Sequence, residues 1–448
     1  LPFTFIFLAL FNGFNLYLYT GFFLTFGIYS FLSTRKKQSF LNWIFIFYIS
    51  FWCYQAINNY YYLKPDKVRG LTSTMYSFSS VLYWSLLIIF FLYGLFKFFH
   101  ESAYTFKLEK IRNNLLITSF GLVILSILSA STPIFNFLTY YYFGLTKYAT
   151  DNQDLFGRNE WAEKIAWRGM FPSAETLGEL FAFTLLIFII CLINKIETKV
   201  LLYFFSIFSL IGLYVSNNKA AFFSLVVCFL LKVLNTYNIS KVTKYFFIIF
   251  SFIFFLFLVR FENLLLSLDF ATNNMVGTGY AYGFENSRSS AIKFLIDLRD
   301  KNNFFNLIFS FIGLVGFYIN RSELWGLFFA RHNPSFYEVL LGTGPFNLGK
   351  HYGDIKLQET KSFLLPHSSL LNIYLYFGLI LSSLLIFYLV LNIYRVKNIN
   401  FDLYLIGIFL MVNIIKSDSI LYSPSLIMYL VFFLIIIRKN NKSYIVDM

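Results

Sequence analysis

Apolar runs of about 18 residues or more, each closed by charged residues, recur along the whole chain. A run of that length is read as a membrane helix, because a helix satisfies its own backbone hydrogen bonds in lipid. The pattern predicts spans over 14–33, 40–58, 75–96, 114–138, 176–194, 199–215, 220–236, 245–260, 369–394, 401–416 and 420–437. Residues 1–13 are also apolar. One helix over 1–32 would be about 48 Å long, too long for a core of ~30 Å, so Phe11-Asn12-Gly13 is the expected break. The expectation is an all-α polytopic membrane protein with about 11–12 transmembrane helices. No cleaved signal peptide is expected, since no basic segment and polar mature chain frame the first run.

Lys and Arg in the short loops set the orientation. Arg35-Lys36-Lys37, then Lys97, Lys107, Lys110 and Arg112, then Lys195 and Lys199, then Lys232, Lys241 and Lys244, then Arg395 and Lys397, and the tail Arg438, Lys439 and Lys442 fall on alternate sides of successive spans. They share one face, which is assigned to the cytoplasm. The opposite face carries a short loop, 139–175, and a long one, 262–366. The expected layout is an N-terminal bundle over 1–261, the long periplasmic loop over 262–366, and C-terminal helices over 367–448, all in one membrane domain. Within the long loop, 304–319 is apolar but short for a span, so it is expected to lie in the membrane plane as an amphipathic or re-entrant helix.

Composition sharpens this picture. Apolar residues make up 58% of the 448 residues and charged residues 13%, too few charges to cover a soluble fold of this size. Nucleic-acid binding and soluble chemistry are therefore not expected, and the net charge of +14 matters through its placement rather than its sum. Cys53, Cys191 and Cys228 each fall inside an apolar run, with no disulfide or metal spacing. The 62 Phe and 33 Tyr accompany abundant Ile, Asn and Lys, as an AT-rich gene produces, and carry no functional argument as a class.

Polar residues near membrane depth are the candidates for chemistry. The non-cytoplasmic face collects four clusters. The first is Trp167-Arg168-Gly169-Met170-Phe171-Pro172, with Glu175, Gly178 and Glu179 entering the next span. The second is Ser216-Asn217-Asn218-Lys219 between two apolar runs. The third runs from Arg321 to Trp325, then through Asn333-Pro334 to Gly342-Thr343-Gly344-Pro345-Phe346. The fourth is Pro366-His367-Ser368-Ser369, with Tyr376-Phe377-Gly378 inside the following span. Taken singly, each has a plain structural reading. Arg168 reads equally as a snorkelling residue, Lys219 as a helix-end anchor, and the two glycines at 342 and 344 as a turn. His332 and His351 lack zinc spacing, and Asp151 and Asp154 sit in a polar loop.

In order and spacing these clusters resemble the Wzy-type O-antigen polymerase and O-antigen ligase superfamily. The family's long periplasmic loop opens on Arg-x-x-x-Trp, matched by Arg321 to Trp325, and passes through Asn-Pro, matched by Asn333-Pro334. It continues with Gly-x-Gly-Pro, matched by Gly342 to Pro345, and reaches His-Ser before a glycine-bearing span, matched by His367-Ser368 and Gly378. The preceding loop's Arg-Gly-x-Phe-x-Pro pattern is approached by Arg168 to Pro172, and the family's Ser-Arg by Ser216 to Lys219, with Lys where Arg is common. Glu175 departs from the family's frequent Asn, and the segment 304–319 lengthens the loop.

The resemblance implies an enzyme of the bacterial inner membrane with a periplasmic active site. It would transfer an undecaprenyl-pyrophosphate-linked glycan onto a sugar hydroxyl of another lipid-linked repeat unit. Arg168 and Arg321 would grip the pyrophosphate through bidentate forks, helped by Lys219 and Arg288. His367 would be the general base, with Glu175, Gly342 and Gly344 in support. No metal or cofactor is implied. The implied partners are the lipid-linked oligosaccharide, membrane lipid and a chain-length regulator protein. A ligase delivering the polymer to lipid A–core is the alternative within the family, and a lipid-linked oligosaccharide flippase the alternative outside it.

Overall fold

The computed structural model describes residues 12–33, 40–58, 90–98, 107–131, 174–216, 218–236, 249, 334–344, 368–417 and 423–446. The loop residues 139–173, most of the run 245–260 and the segment 304–319 lie outside the described residues. The described chain is helical, and no strand occurs in it. Its helices are α1 (Asn12–Ser33), α2 (Phe40–Asn58), α3 (Leu108–Ser131), α4 (Ala174–Ile193), α5 (Val200–Ser216) and α6 (Lys219–Thr236). They continue with α7 (Phe336–Leu341), α8 (Ser369–Ile399), α9 (Phe401–Lys416) and α10 (Ser423–Val446). Among the described residues, α4 from Glu175, α6 and α8 are long and apolar enough to cross a membrane.

The chain divides into two compact units. The first comprises Leu1–Ser30, Phe91–Ile249 and Ile386–Met448; the second comprises Phe31–Phe90 and Phe250–Leu385.

At the centre of the first unit stands α4, which packs against α3, α5, α6 and α9. From Leu180 onward its sequence is apolar apart from Thr184, and the side chains of Phe181, Phe183, Leu186, Ile187 and Ile190 are buried on every face, as expected of a helix with no polar stripe there. The Phe183 ring meets Phe432 at 4.8 Å and Phe409 at 5.7 Å, joining α4 to α10 and α9. By contrast α5 is two-faced. Leu202, Ser209, Gly212, Leu213 and Ser216 are buried, whereas Val200, Phe204, Ile207 and Tyr214 are exposed. The Phe181 ring fills the space that a Cβ on Gly212 would need. Helix α9 starts at Asn400, whose side chain accepts from the Leu403 N–H at 3.0 Å, and carries Lys416 in its last turn, where the helix dipole favours a cation.

Two helix ends differ from the sequence expectation. Arg112 was expected in a loop, yet α3 begins at Leu108 and takes Arg112 in, with only 1% of its surface exposed. Its guanidinium donates to the Glu197 carbonyl at 3.1 Å and the Thr198 hydroxyl at 2.8 Å, and these bonds allow the charge to be buried. Helix α10 runs past 437 to Val446, because Asn440 donates its amide to the carbonyl and side-chain oxygen of Asn392.

Candidate functional site

In the second unit, the described parts of the third and fourth sequence clusters, 334–344 and 368–378, pack together. Short α7 opens with Ser335, whose hydroxyl accepts from the Glu338 N–H, while the Glu338 carboxylate accepts from the Ser335 N–H at 2.6 Å. This reciprocal capping box lets Glu338 be 98% buried without leaving the first turn's N–H groups bare. The helix stops at Gly342, where φ is +85°.

Helix α8 is not continuous. Gly378 adopts φ +74° and ψ 178°, which divides α8 into a short leg before it and a long leg of about 21 residues after it. At ~31 Å the long leg alone matches a bilayer core. A break inside an apolar helix frees carbonyls that must find donors. Here each has one. The Leu375 carbonyl accepts from the Thr343 N–H at 2.7 Å and the Thr343 hydroxyl at 3.1 Å. The Tyr376 carbonyl accepts from the Trp52 indole N–H at 3.1 Å. The Phe377 carbonyl accepts from the Tyr48 hydroxyl at 2.7 Å. On the far side, the Ser382 hydroxyl donates to the Gly378 carbonyl at 2.6 Å.

Gly342 and Gly378 press backbone to backbone. A Cβ on Gly342 would lie 2.6 Å from the Gly378 nitrogen, and one on Gly378 would run into the backbone of Leu340 and Gly342. Both also need a left-handed φ, so glycine is required twice over at each. Gly344 meets the Trp52 indole, which would lie 3.1 Å from an added Cβ. The Phe377 ring meets Tyr48 edge-to-face at 5.3 Å and Trp52 at a tilt at 5.4 Å between ring centres, and these contacts bind the break to α2.

The short leg also holds a buried polar side chain that no described residue meets. Ser368, Ser369 and Asn372 are all fully buried on one face of it. The Ser368 hydroxyl accepts from the Leu371 N–H at 3.4 Å and caps the helix. Among the described residues, neither the oxygen nor the nitrogen of the Asn372 carboxamide has a hydrogen-bond partner. An unmet buried polar group costs about 1–3 kcal/mol.

In the first unit, Glu175 and Gly178 of the first sequence cluster meet Ser216 and Asn218 of the second where α4 and α6 begin and α5 ends. The Asn218 side chain accepts from the Ala221 N–H at 3.1 Å and donates to the Glu175 carbonyl at 2.7 Å. Gly178 lets Ser216 and Asn218 approach α4, since a Cβ there would lie 2.5 Å from the Asn218 Cβ. One turn deeper, the fully buried Glu179 carboxylate accepts from the Tyr429 hydroxyl at 3.0 Å. Lys219 is exposed at the start of α6 and forms no ion pair or hydrogen bond with the described residues. That placement fits the anchor reading as well as the phosphate reading.

Of the residues singled out from sequence, Glu175 and Lys219 lie in the first unit and Gly342 and Gly344 in the second. Arg168, Arg288, Arg321 and His367 lie outside the described residues; His367 directly precedes Ser368 in the chain. Among the described residues, no three His, Cys, Asp or Glu side chains gather as a metal would require. Sequence reasoning missed Tyr48, Trp52, Glu338 and Asn372. The first two carry a usable signal, because two aromatic donors one helical turn apart in an apolar run call for buried acceptors. The capping box was also legible as Ser-x-x-Glu after Asn333-Pro334.

No family model matches the chain, and neither a curated protein nor a solved structure matches it.

Proposed function

We propose that the chain is a glycan polymerase of the O-antigen type, acting on lipid-pyrophosphate-linked repeat units at the periplasmic face of the bacterial inner membrane. The observation that carries this reading is the Gly342–Gly378 junction. Two motifs recognised separately in the sequence, Gly342-Thr343-Gly344 and the Ser368 to Gly378 stretch, pack as one unit through Thr343 and Leu375. The residue immediately before that stretch is His367.

In the proposed reaction, His367 accepts the proton of an acceptor sugar hydroxyl as its oxygen attacks the donor's anomeric carbon. The bond from that carbon to the pyrophosphate oxygen breaks, and its electron pair leaves on the lipid pyrophosphate. Arg168 and Arg321, with Lys219 and Arg288, stabilise the negative charge developing there. An activated leaving group is already present in the substrate. The partners are the lipid-linked oligosaccharide, surrounding lipid and a chain-length regulator. The supporting residues Glu175, Gly342 and Gly344 act by holding backbone in place.

A flippase reading is favoured by one observation, the buried Glu179 carboxylate in an apolar bundle. A ligase shares the polymerase chemistry and differs in its acceptor. His367→Ala separates the three. For a polymerase, surface glycan ladders collapse to single repeat units on lipid A–core while the protein stays in the membrane. Loss of even the single unit indicates a ligase, and lipid-linked units trapped at the cytoplasmic leaflet indicate a flippase. An unchanged ladder at normal expression removes His367 from the chemistry.

A further inference from the structure

We propose that the Asn372 carboxamide is a saccharide contact at the N-terminal end of α8, binding a pair of adjacent neutral hydroxyls. The proposal names a substrate contact within the glycan-transfer site and rests on that reading for the sugar's place in a reaction.

The argument begins with what is already satisfied around Asn372. The capping box closes α7, Ser368 caps α8, and Thr343, Trp52 and Tyr48 take the carbonyls freed at the break. Asn372 sits in the first turn of α8, on the face that carries Ser368 and Ser369. It is fully buried, and its oxygen and nitrogen are both without partners among the described residues. It contributes nothing to the cap, the break or the turn that a leucine of similar volume would not. A buried polar side chain that no described group meets is a place where a bound ligand would supply the partner.

The carboxamide also selects among partners. It presents an acceptor and a two-hydrogen donor side by side. A phosphate offers only acceptors and would leave the Asn372 oxygen unmet. A metal cation would leave the NH2 unmet. Glu338, a charged side chain described in this unit, is engaged in its own capping box. Two neighbouring hydroxyls on a sugar ring each donate and accept, and so meet both halves of the amide at once. The start of a helix tolerates such a ligand, because its N–H groups face outward along the axis.

The test uses the full-length protein in detergent, with thermal unfolding followed by intrinsic fluorescence. The probe is the oligosaccharide freed by mild acid from the source cell's own surface glycan. The expected result is a higher unfolding midpoint for wild type with the probe, and no rise for Asn372→Leu. The Leu variant without probe should unfold at the wild-type midpoint or above it, and its affinity for the probe should fall at least about tenfold. Asn372→Asp, which keeps the shape but replaces the donor with an acceptor, should lose the probe response too. The proposal is overturned if wild type ignores the probe, or if either variant responds as wild type does. It is also overturned if the Leu variant unfolds clearly earlier without probe, which would mean that Asn372 serves an internal water. Failure of glycan transfer as the function shows separately, as an unchanged glycan ladder for His367→Ala.

Discussion

The Gly342–Gly378 junction of the second unit and the charged end of the first unit both bury polar groups, using different material. At the junction the buried groups are backbone carbonyls, released by a break in α8 and met by neutral donors from Thr343, Trp52 and Tyr48. At the charged end they are ions. The Lys232 ammonium meets the Asp402 carboxylate at 2.6 Å, Asp402 also accepts from Asn194 at 2.8 Å, and Arg112 is held by Glu197 and Thr198. Side-chain pairs can be exchanged for other side chains of similar volume. A backbone break cannot, because its geometry belongs to the chain itself. The junction is therefore the less replaceable of the two.

Breaking the junction should produce the largest effect. Gly378→Ala combines left-handed strain with a Cβ driven into the Leu340 backbone, so a loss on the order of 3–5 kcal/mol is expected. Unfolding in mixed micelles would measure it; a loss below about 1 kcal/mol would mean that the close glycine pair does not govern the break. The ionic end should respond less. Lys232→Ala should cost about 2 kcal/mol, because Asp402 keeps Asn194 as a partner and is itself 18% exposed. Replacing both ions by Met and Leu should recover most of that loss, and a double variant as unstable as the single one would contradict the idea that this end is exchangeable. The smallest effect belongs to Tyr48→Phe, which removes one hydroxyl and leaves the Phe377 carbonyl unmet at a cost of about 1 kcal/mol. If Tyr48→Phe matched Gly378→Ala, the hydrogen bonds rather than the glycines would be holding the break.

Helices α2 and α9 were legible because each is a long apolar run closed by polar residues, and they occupy the expected stretches 40–58 and 401–416, whereas the six-residue α7 offers no such run. The end of α3 was not, because a charged residue at a run's edge reads as loop until its partners, here Glu197 and Thr198, are known. Gly378 stood out only as a glycine within a span. Nothing local distinguishes a glycine that breaks a helix from one that eases packing, and the difference lies in Gly342 on another element. The donors for the freed carbonyls are farther still. Trp52 is separated from Tyr376 by 324 positions and Tyr48 from Phe377 by 329, beyond the reach of any periodicity argument. Asn372 looked like an ordinary polar residue in a helix start, and its lack of partners becomes visible only once its neighbours are placed.

The break at Gly378 has a mechanical consequence for α8. Strain passes along a helix through its ladder of i to i−4 bonds, and that ladder is interrupted at Gly378. The three carbonyls before the interruption are tethered to Thr343, Trp52 and Tyr48 instead of to the next turn. Where the long leg crosses a bilayer, a change in lipid thickness shifts its tilt, at a cost of fractions of a kcal/mol per Å. That tilt has no rigid rod by which to swing the short leg. The first turn of α8, with Ser368, Ser369 and Asn372, takes its bearing from the 342–344 turn and α2, and is insulated from the compliance of the lipid.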